Sequence, residues 1–483
     1  MDTEDSLFRG RTFDDFLFTP QRSPVLTRRE VDLSMPLASG LTVGLPVIGA
    51  NMDTVMGEEM AKTLALEGAF GFLHRSRSIE EQASQIRYVK SRHSYVIEKP
   101  VLLPKTATMA EARTTIHAHK ASGILIEETP GSGVLAGILS HRDMPLLRVG
   151  DDRPVTDFMT PAARIVTRPP NVAMDEAERV MFDHRVEKLP LVDADGRIRG
   201  LITMRDLKLY KQKPQSAKDD RGRLRVGATI GATGDFIERA HALVEEEADA
   251  LLMDVAHADS EVVEKAMAAF RRALPKATLV VGNVATADGA RRLRDQGADA
   301  IKVGVGPGRG CRTRLETGAG VPQLQAIREA WRGVEGRVPI IADGGVRSDK
   351  DIFLAIACGA STVMLGSMLS GTDEAPGIII EDPASGQKMK LYRGMTSPEA
   401  VADAESAESL VEALSTPAEG QSVRIPYVGS VVGILHRVRG HLRSAVSYAG
   451  ERDLASAHAK IAAKPMDFLI PLSEASRRES FVR

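Results

Sequence analysis

From about residue 225 onward, short runs of apolar and β-branched residues alternate with longer amphipathic stretches. The runs are Leu251-Leu252-Met253-Asp254-Val255, Leu279-Val280-Val281-Gly282-Asn283, Ile301-Lys302-Val303-Gly304, Pro339-Ile340-Ile341-Ala342-Asp343 and Val363-Met364-Leu365-Gly366. Most of them close on Gly, Asp or Asn, and helical patterns such as Ala287 to Gln296 follow. Near-continuous apolar strands alternating with helices predict a parallel sheet covered by helices. An open doubly wound sheet shares that rhythm. Polar residues stand at so many strand ends, where a barrel builds its active site, that the expected fold is an α/β (β/α)₈ (TIM) barrel. The N-terminal part supplies one more unit, a strand over Leu45 to Met52 and a helix over Gly57 to Gly68.

Between about Val96 and Pro214 the rhythm breaks and the chain repeats itself. Ala136-Gly137-Ile138-Leu139-Ser140-His141-Arg142-Asp143 recurs as Arg199-Gly200-Leu201-Ile202-Thr203-Met204-Arg205-Asp206, each after a helical stretch and an apolar strand (Gly123 to Ile126; Lys188 to Val192). Self-similarity at this spacing marks a duplicated module. The two copies resemble a pair of CBS (cystathionine-β-synthase-type) motifs. In that family the hydroxyl-x-x-Asp ending each repeat holds the ribose of an adenine or guanine nucleotide. The resemblance places Ser140, Asp143, Thr203 and Asp206 in that role. The expected organisation is residues 1–96 as the first part of the barrel, 97–213 as a tandem CBS insert and 214–483 as the rest of the barrel. Lys211 to Arg223 reads as an exposed return linker.

A hydrophobic fraction of 43% supports a sizeable core, and a net charge of −2 gives no sign of a nucleic-acid or membrane-surface partner. No apolar run approaches the roughly 20 residues a membrane helix needs. The acidic start, Met1-Asp2-Thr3-Glu4-Asp5, is unlike a secretory or transit leader. Two cysteines make no disulfide framework and suit a reducing compartment, so the expected location is the cytoplasm.

The chemistry is concentrated in Gly304-Val305-Gly306-Pro307-Gly308-Arg309-Gly310-Cys311-Arg312-Thr313-Arg314. Glycines let the backbone approach a substrate closely, and their carbonyls can turn inward to hold a cation. Arg309, Arg312 and Arg314 favour a thiolate at Cys311, the form in which a cysteine acts as a nucleophile. A purely structural role suits Cys358 in the apolar stretch Leu354-Ala355-Ile356-Ala357 far better.

This loop resembles the catalytic loop of the IMP dehydrogenase and GMP reductase family, Gly-x-Gly-Pro-Gly-Ser-x-Cys-x-Thr-Arg. The resemblance continues through Phe13-Asp14-Asp15, Ala50-Asn51-Met52-Asp53-Thr54-Val55, Gly282-Asn283-Val284-Ala285-Thr286, Ala342-Asp343-Gly344-Gly345, Met364-Leu365-Gly366-Ser367 and Tyr392-Arg393-Gly394-Met395, in family order. It implies that Cys311 adds to C2 of a purine nucleotide, GMP or IMP, with Thr313 beside it. Asp343 would take the ribose hydroxyls; Gly344, Gly345, Gly366, Ser367 and Tyr392 the 5′-phosphate; Gly394 and Met395 the base. Asp254, Asn283, Gly304 and Gly306 would line a nicotinamide dinucleotide site held by barrel loops, since no Rossmann fingerprint appears. Gly306, Gly308 and Cys311 match carbonyl ligands of a potassium ion in the dehydrogenases. Arg309 departs from the pattern, standing where the family carries a phosphate-contacting Ser.

Both family reactions pass through a purine attached to cysteine at C2. A dehydrogenase oxidises IMP with NAD and hydrolyses the adduct with an Arg-Tyr pair on a mobile flap; a reductase expels ammonia from GMP and uses NADPH. Thr396 to Gly420 contains no Arg and no Tyr, and Glu419-Gly420 matches the Glu-Gly that reductases use for acid-base work. Asn51 is also reductase-like. Against this, typical reductases lack the insert, and Thr416 and Ala418 replace an Arg and a Ser of the reductases. The expectation is an NADPH-dependent GMP reductase, with Cys311, Thr313 and Glu419 catalytic and ATP or GTP regulating through the insert. The alternatives are an NAD-dependent IMP dehydrogenase and an inactive nucleotide-sensing barrel. The resemblance further implies a homotetramer that can stack into an octamer.

Overall fold

The computed structural model describes residues 7–92, 95–119, 123–144, 151–383, 385–397, 400 and 418–481. They form two compact units. One comprises Met1–Lys90, Gln215–Asp219 and Leu224–Arg483; the other comprises Ser91–Pro214 and Asp220–Arg223.

The first unit is built on eight parallel strands closed into a barrel. In chain order they are β1 (Val47–Gly49), β2 (Phe70–Leu73), β3 (Gly227–Ile230), β4 (Ala250–Asp254), β5 (Leu279–Val284), β6 (Ala300–Val303), β7 (Ile340–Asp343) and β8 (Thr362–Leu365). Each pairs with the next, and β8 closes on β1 through Val363↔Val47, Met364↔Ile48 and Leu365↔Gly49. All positions but Asp254, Asn283 and Asp343 are buried, the near-continuous apolar run that a strand covered on both faces requires. Two strands, β2 and β3, escape the sequence pattern. Each is four residues long, and glycine in Phe70-Gly71-Phe72-Leu73 and at Gly227 leaves too short an apolar run to stand out.

The helices cover the barrel by their apolar stripes. In Glu261–Ala273 the buried residues are Val263, Ala266, Met267 and Phe270, the i, i+3, i+4, i+7 spacing of one face, and Ser260 caps the first turn by accepting from Val263 N. Asp349–Ala357 begins with a capping box between Ser348 and Asp351. Gly333 lies inside the helix Gln323–Val334, where a Cβ would stand 2.2 Å from the Ala287 carbonyl oxygen. Only glycine allows that approach between neighbouring helices. Cys358 is fully buried below this helix layer, the structural role the sequence suggested.

The second unit contains a four-stranded sheet in the order Thr160–Pro161, Leu135–Ser140, Gly123–Glu127, Leu102–Pro104 and a three-stranded sheet in the order Lys188–Val192, Ile198–Thr203, Val96–Ile97. Each sheet has its own apolar cluster, and Leu125, Leu135 and Leu201 form a further cluster drawn from both repeats. The stretch expected as an exposed return linker is partly tied down. Ala217 is buried and its N–H donates to the Ala65 carbonyl, while Arg223 is buried in the other unit. Polar composition suggested a solvated connector; burial of these two residues corrects that reading.

Candidate active site

The C-terminal ends of the barrel strands carry one cleft of about 2020 Å³. A site for one small molecule usually occupies roughly 300–1,000 Å³, so this cleft has room for two ligands. The barrel residues expected to serve catalysis, the nucleotide, the dinucleotide or a cation all line it: Asp254, Asn283, Gly304, Gly306, Gly308, Cys311, Thr313, Asp343, Gly344, Gly345, Gly366, Ser367, Tyr392, Gly394, Met395 and Glu419.

Cys311 lies in the loop after β6, two residues before the short helix Thr313–Glu316. Its Sγ donates to Thr313 Oγ1 at 3.2 Å, and Thr313 Oγ1 donates to Glu419 Oε2 at 2.6 Å. The backbone fixes this row. Arg312 N donates to the Glu419 carbonyl at 2.7 Å, Gln421 N to the Gly310 carbonyl at 3.0 Å, and Cys311 bridges Gly420. Gly394 permits the crossing of these segments, since a Cβ there would stand 2.4 Å from the Gly310 oxygen. Of Thr396 to Gly420, residues 398–399 and 401–417, with Thr416 among them, lie outside the described residues.

The arginines of the loop divide their tasks. Arg312 pairs with Glu316. Arg314 packs along Gly306 and Gly320, donates to the Val305 and Val321 carbonyls, and interacts electrostatically with Cys311. Arg309 is exposed and faces the Tyr392 phenol. The Gly308 carbonyl accepts from Cys311 N at 3.0 Å. Of the three carbonyls matched to a potassium site, that of Gly308 is thus already engaged by the loop's own hydrogen bond.

Gly344 and Gly345 follow β7 with φ of 88° and 77°, a left-handed turn that glycine adopts without strain. Gly366 and Ser367 follow β8; a Cβ on Gly366 would lie 2.8 Å from the Tyr392 hydroxyl. Tyr392 sits on the strand Lys388–Arg393. Burial pushes its phenol well above the ordinary value, with Asp343 and Cys311 acting in the same sense and Arg309 against them. Tyr392 therefore stays a neutral hydroxyl donor. The next residue, Arg393, is clamped by Asp53 at 2.9 Å and by Thr54, which fixes the approach to Gly394 and Met395. Behind that clamp His74 is 2% exposed with neither ring nitrogen hydrogen-bonded. Burial lowers its pKa to about 4 against the field of Asp53, helped by Arg77 and Arg393.

Several cleft residues went unnoticed in the sequence. Lys302, inside an apolar strand, binds Asp254 at 2.8 Å and Asp343 at 2.6 Å. Two residues already noted in the sequence join this row: Asn51 donates to Asp254 at 2.7 Å, and Asn283 to Asp343 at 3.0 Å. Arg75, Ser76, Arg77 and Arg239 line the Asp254 end, where Arg75 and Arg77 are exposed. A lysine in the middle of a four-residue barrel strand was a visible signal; the arginines after β2 were not, because that strand was itself missed.

Ser140, Asp143, Thr203 and Asp206 lie in the second unit, each pair closed on itself. Asp143 Oδ2 accepts from Ser140 N and Oγ at 2.7 Å, and Asp206 Oδ2 accepts from Thr203 Oγ1 at 2.5 Å. Among the described residues no group of three or more His, Cys, Asp or Glu side chains is placed to hold a metal ion, and no helix is long and apolar enough to cross a membrane.

Residues 10–482 match a family model described as the IMP dehydrogenase / GMP reductase domain. An inosine-5′-monophosphate dehydrogenase from Streptococcus pyogenes serotype M3 is 42% identical over 457 residues, covering 94% of this chain and 92% of its own length. The enzyme of the same name from Nitrosopumilus maritimus is 41% identical over 447 residues, covering 91% and 92%. Among solved structures, a Cys-to-Ala variant of GMP reductase from Trypanosoma brucei with guanosine 5′-monophosphate is 35% identical, covers 99% of both chains and superposes with a TM-score of 0.87. The same organism's GMP reductase with guanosine 5′-triphosphate is 32% identical, covers 98% of this chain and 100% of its own, and gives 0.77.

Proposed function

We propose that this chain, which belongs to the IMP dehydrogenase/GMP reductase family of oxidoreductases, reduces GMP to IMP and ammonia with NADPH. The observation that carries the reading is the relay from Cys311 Sγ through Thr313 Oγ1 to Glu419 Oε2, at 3.2 and 2.6 Å.

The relay is oriented to move one proton. As Cys311 sulfur bonds to C2 of the purine, its proton passes to the Thr313 oxygen while the Thr313 proton passes to Glu419. Glu419 then protonates the exocyclic amine, the C2–N bond breaks, and ammonia leaves a neutral purine thioether on Cys311. General acid-base help of this kind is typically worth about 10²–10⁴-fold. When bound, the dinucleotide supplies a hydride to C2, which releases IMP and the Cys311 thiolate. Cleft size supports a second ligand beside the nucleotide, and the exposed Arg75 and Arg77 at the Asp254 end suit the extra phosphate of NADPH.

Asp343 Oδ1 is taken by no described residue and is free to accept ribose hydroxyls. Gly344, Gly345, Gly366, Ser367 and Tyr392 surround the position proposed for the 5′-phosphate, where Arg309 adds a charge-assisted donor. The mechanism requires no step through a monovalent cation. We read the second unit as a CBS pair binding ATP or GTP through Asp143 and Asp206. The GMP reductase solved with guanosine 5′-triphosphate, which aligns over 98% of this chain and 100% of its own, supports this and weighs against the objection that a reductase should lack the insert.

Glu419→Gln tests the assignment. GMP-dependent oxidation of NADPH should fall about 10²-fold or more, with GMP binding held within about threefold. Undiminished turnover would contradict it. The second reading, an IMP dehydrogenase using NAD, is favoured by the relatives at 42% identity that carry that name.

A further inference from the structure

The Asp254 and Asp343 carboxylates hang from strands β4 and β7, with β5 and β6 between them. In the proposed function they serve different ligands, Asp254 the dinucleotide and Asp343 the ribose of the nucleotide. One cation joins them. Lys302 Nζ, on β6, lies 2.8 Å from Asp254 Oδ1 and 2.6 Å from Asp343 Oδ2, and its side chain is only 3% exposed. Neutral donors complete the row, Asn51 on Asp254 Oδ2 and Asn283 on Asp343 Oδ2.

We propose that Lys302 is a positioning residue that keeps both carboxylates ionised and aimed into the cleft, so that each presents acceptor oxygens to a ribose diol. The inference rests on the reading of Asp343 as the ribose-binding residue. A carboxylate that takes a proton becomes a donor at that oxygen and loses the capacity to accept from a diol. Two carboxylates close together in a partly dehydrated site resist double ionisation, and one of them is protonated unless a cation intervenes. Lys302 is that cation. Burial alone would depress its own charge, but Asp254 and Asp343 outweigh it and hold the ammonium above its ordinary value.

The other groups facing the pair cannot replace it. Arg75 acts on Asp254 without a hydrogen bond to it. Around Asp343 stand Asn283, the Gln323 amide at its backbone oxygen and the Tyr392 phenol, all uncharged, with Arg309 beyond the phenol. Lys302 touches no position where Cys311, Thr313 or Glu419 act, and it makes no bond with them in the structure. Its effect belongs to binding, through Asp343, and not to the proton relay.

The test is GMP binding to the full chain by calorimetry without dinucleotide, from pH 5.5 to 8.5, for wild type, Lys302→Met, Lys302→Gln, Lys302→Arg and Asp343→Asn. The quantity read is the ratio of variant to wild-type affinity at each pH, which cancels the ionisation of the 5′-phosphate. Lys302→Met and Lys302→Gln should bind about tenfold or more weakly near pH 6 and recover toward wild type as the pH rises, approaching tenfold per unit. Lys302→Arg, which keeps the charge, should stay within about threefold throughout. The glutamine variant carries the test should the methionine variant fail to fold. A deficit independent of pH, or none, overturns the role of Lys302. Undiminished binding by Asp343→Asn would instead remove the ribose assignment on which the inference stands.

Discussion

A single hydroxyl, that of Thr313, separates the nucleophile from the carboxylate, accepting from Cys311 at 3.2 Å and donating to Glu419 at 2.6 Å. Thr313→Val keeps the volume and removes both bonds. It should lower the rate of ammonia release about 10²-fold in single-turnover assays while GMP binding changes little. Cys311→Ala should abolish turnover and leave GMP bound, because Asp343 and the glycine turns remain; substantial activity in that variant would end the covalent mechanism. At the phosphate end, Arg309→Ala removes an exposed guanidinium that makes no bond to a described residue. The KM for GMP should rise about tenfold with kcat within about threefold, the sign of an interaction equal in ground and transition states. His74 offers a stability test. The unfolded chain takes up its proton below about pH 6.5, whereas the folded chain holds the ring neutral until about pH 4. Stability contributed by the neutral ring is therefore complete above pH 6.5 and declines as the pH falls toward 4, by at most on the order of 3 kcal/mol. Urea unfolding of His74→Leu should show a shallower loss of stability over that window; an unchanged slope would remove His74 as its source.

Among elements, the strands most legible in the sequence were those with long apolar runs ending in a polar residue. Ala250–Asp254, Leu279–Val284 and Ile340–Asp343 fall where the pattern placed them, with their site residues at the ends. The run Leu45 to Met52 shrinks to Val47–Gly49, because Ala50 to Met52 begin the turn toward the cleft. Phe70–Leu73 was invisible as a strand, and with it went Arg75 and Arg77. Lys302 was quoted within a strand but not weighed, since a period-based reading treats one charge in an apolar run as noise. Its meaning depends on two aspartates that only the closed barrel brings to one amine. The repeat in the second unit was legible because its hydroxyl and its aspartate recur in register. Replacing residues 97–213 by a short Gly-Ser linker should leave NADPH oxidation within about threefold, since every cleft residue lies outside that range. Asp143→Ala and Asp206→Ala should weaken binding of ATP or GTP. Nucleotide regulation that survives both substitutions would count against the CBS assignment.

For the molecule as a whole, likeness alone does not select the reaction: relatives at 42% identity are named dehydrogenases, while a structure at 0.87 TM-score is a reductase. The proposed reductase reaction rests on chemistry instead. Hydrolysis of a purine adduct needs a water made nucleophilic near neutral pH, and Thr396 to Gly420 contains neither the Arg nor the Tyr that would do this. Expulsion of ammonia needs a proton donor for the exocyclic amine, and Glu419, joined to the sulfur through Thr313, is the group proposed to supply it. The most direct measurement is nicotinamide absorbance with the purified full chain, offered GMP with NADPH and, separately, IMP with NAD. The account predicts steady NADPH oxidation with stoichiometric IMP and ammonia in the first, and little or no XMP in the second. Multiple-turnover formation of XMP, with no GMP-dependent oxidation of NADPH, would contradict it.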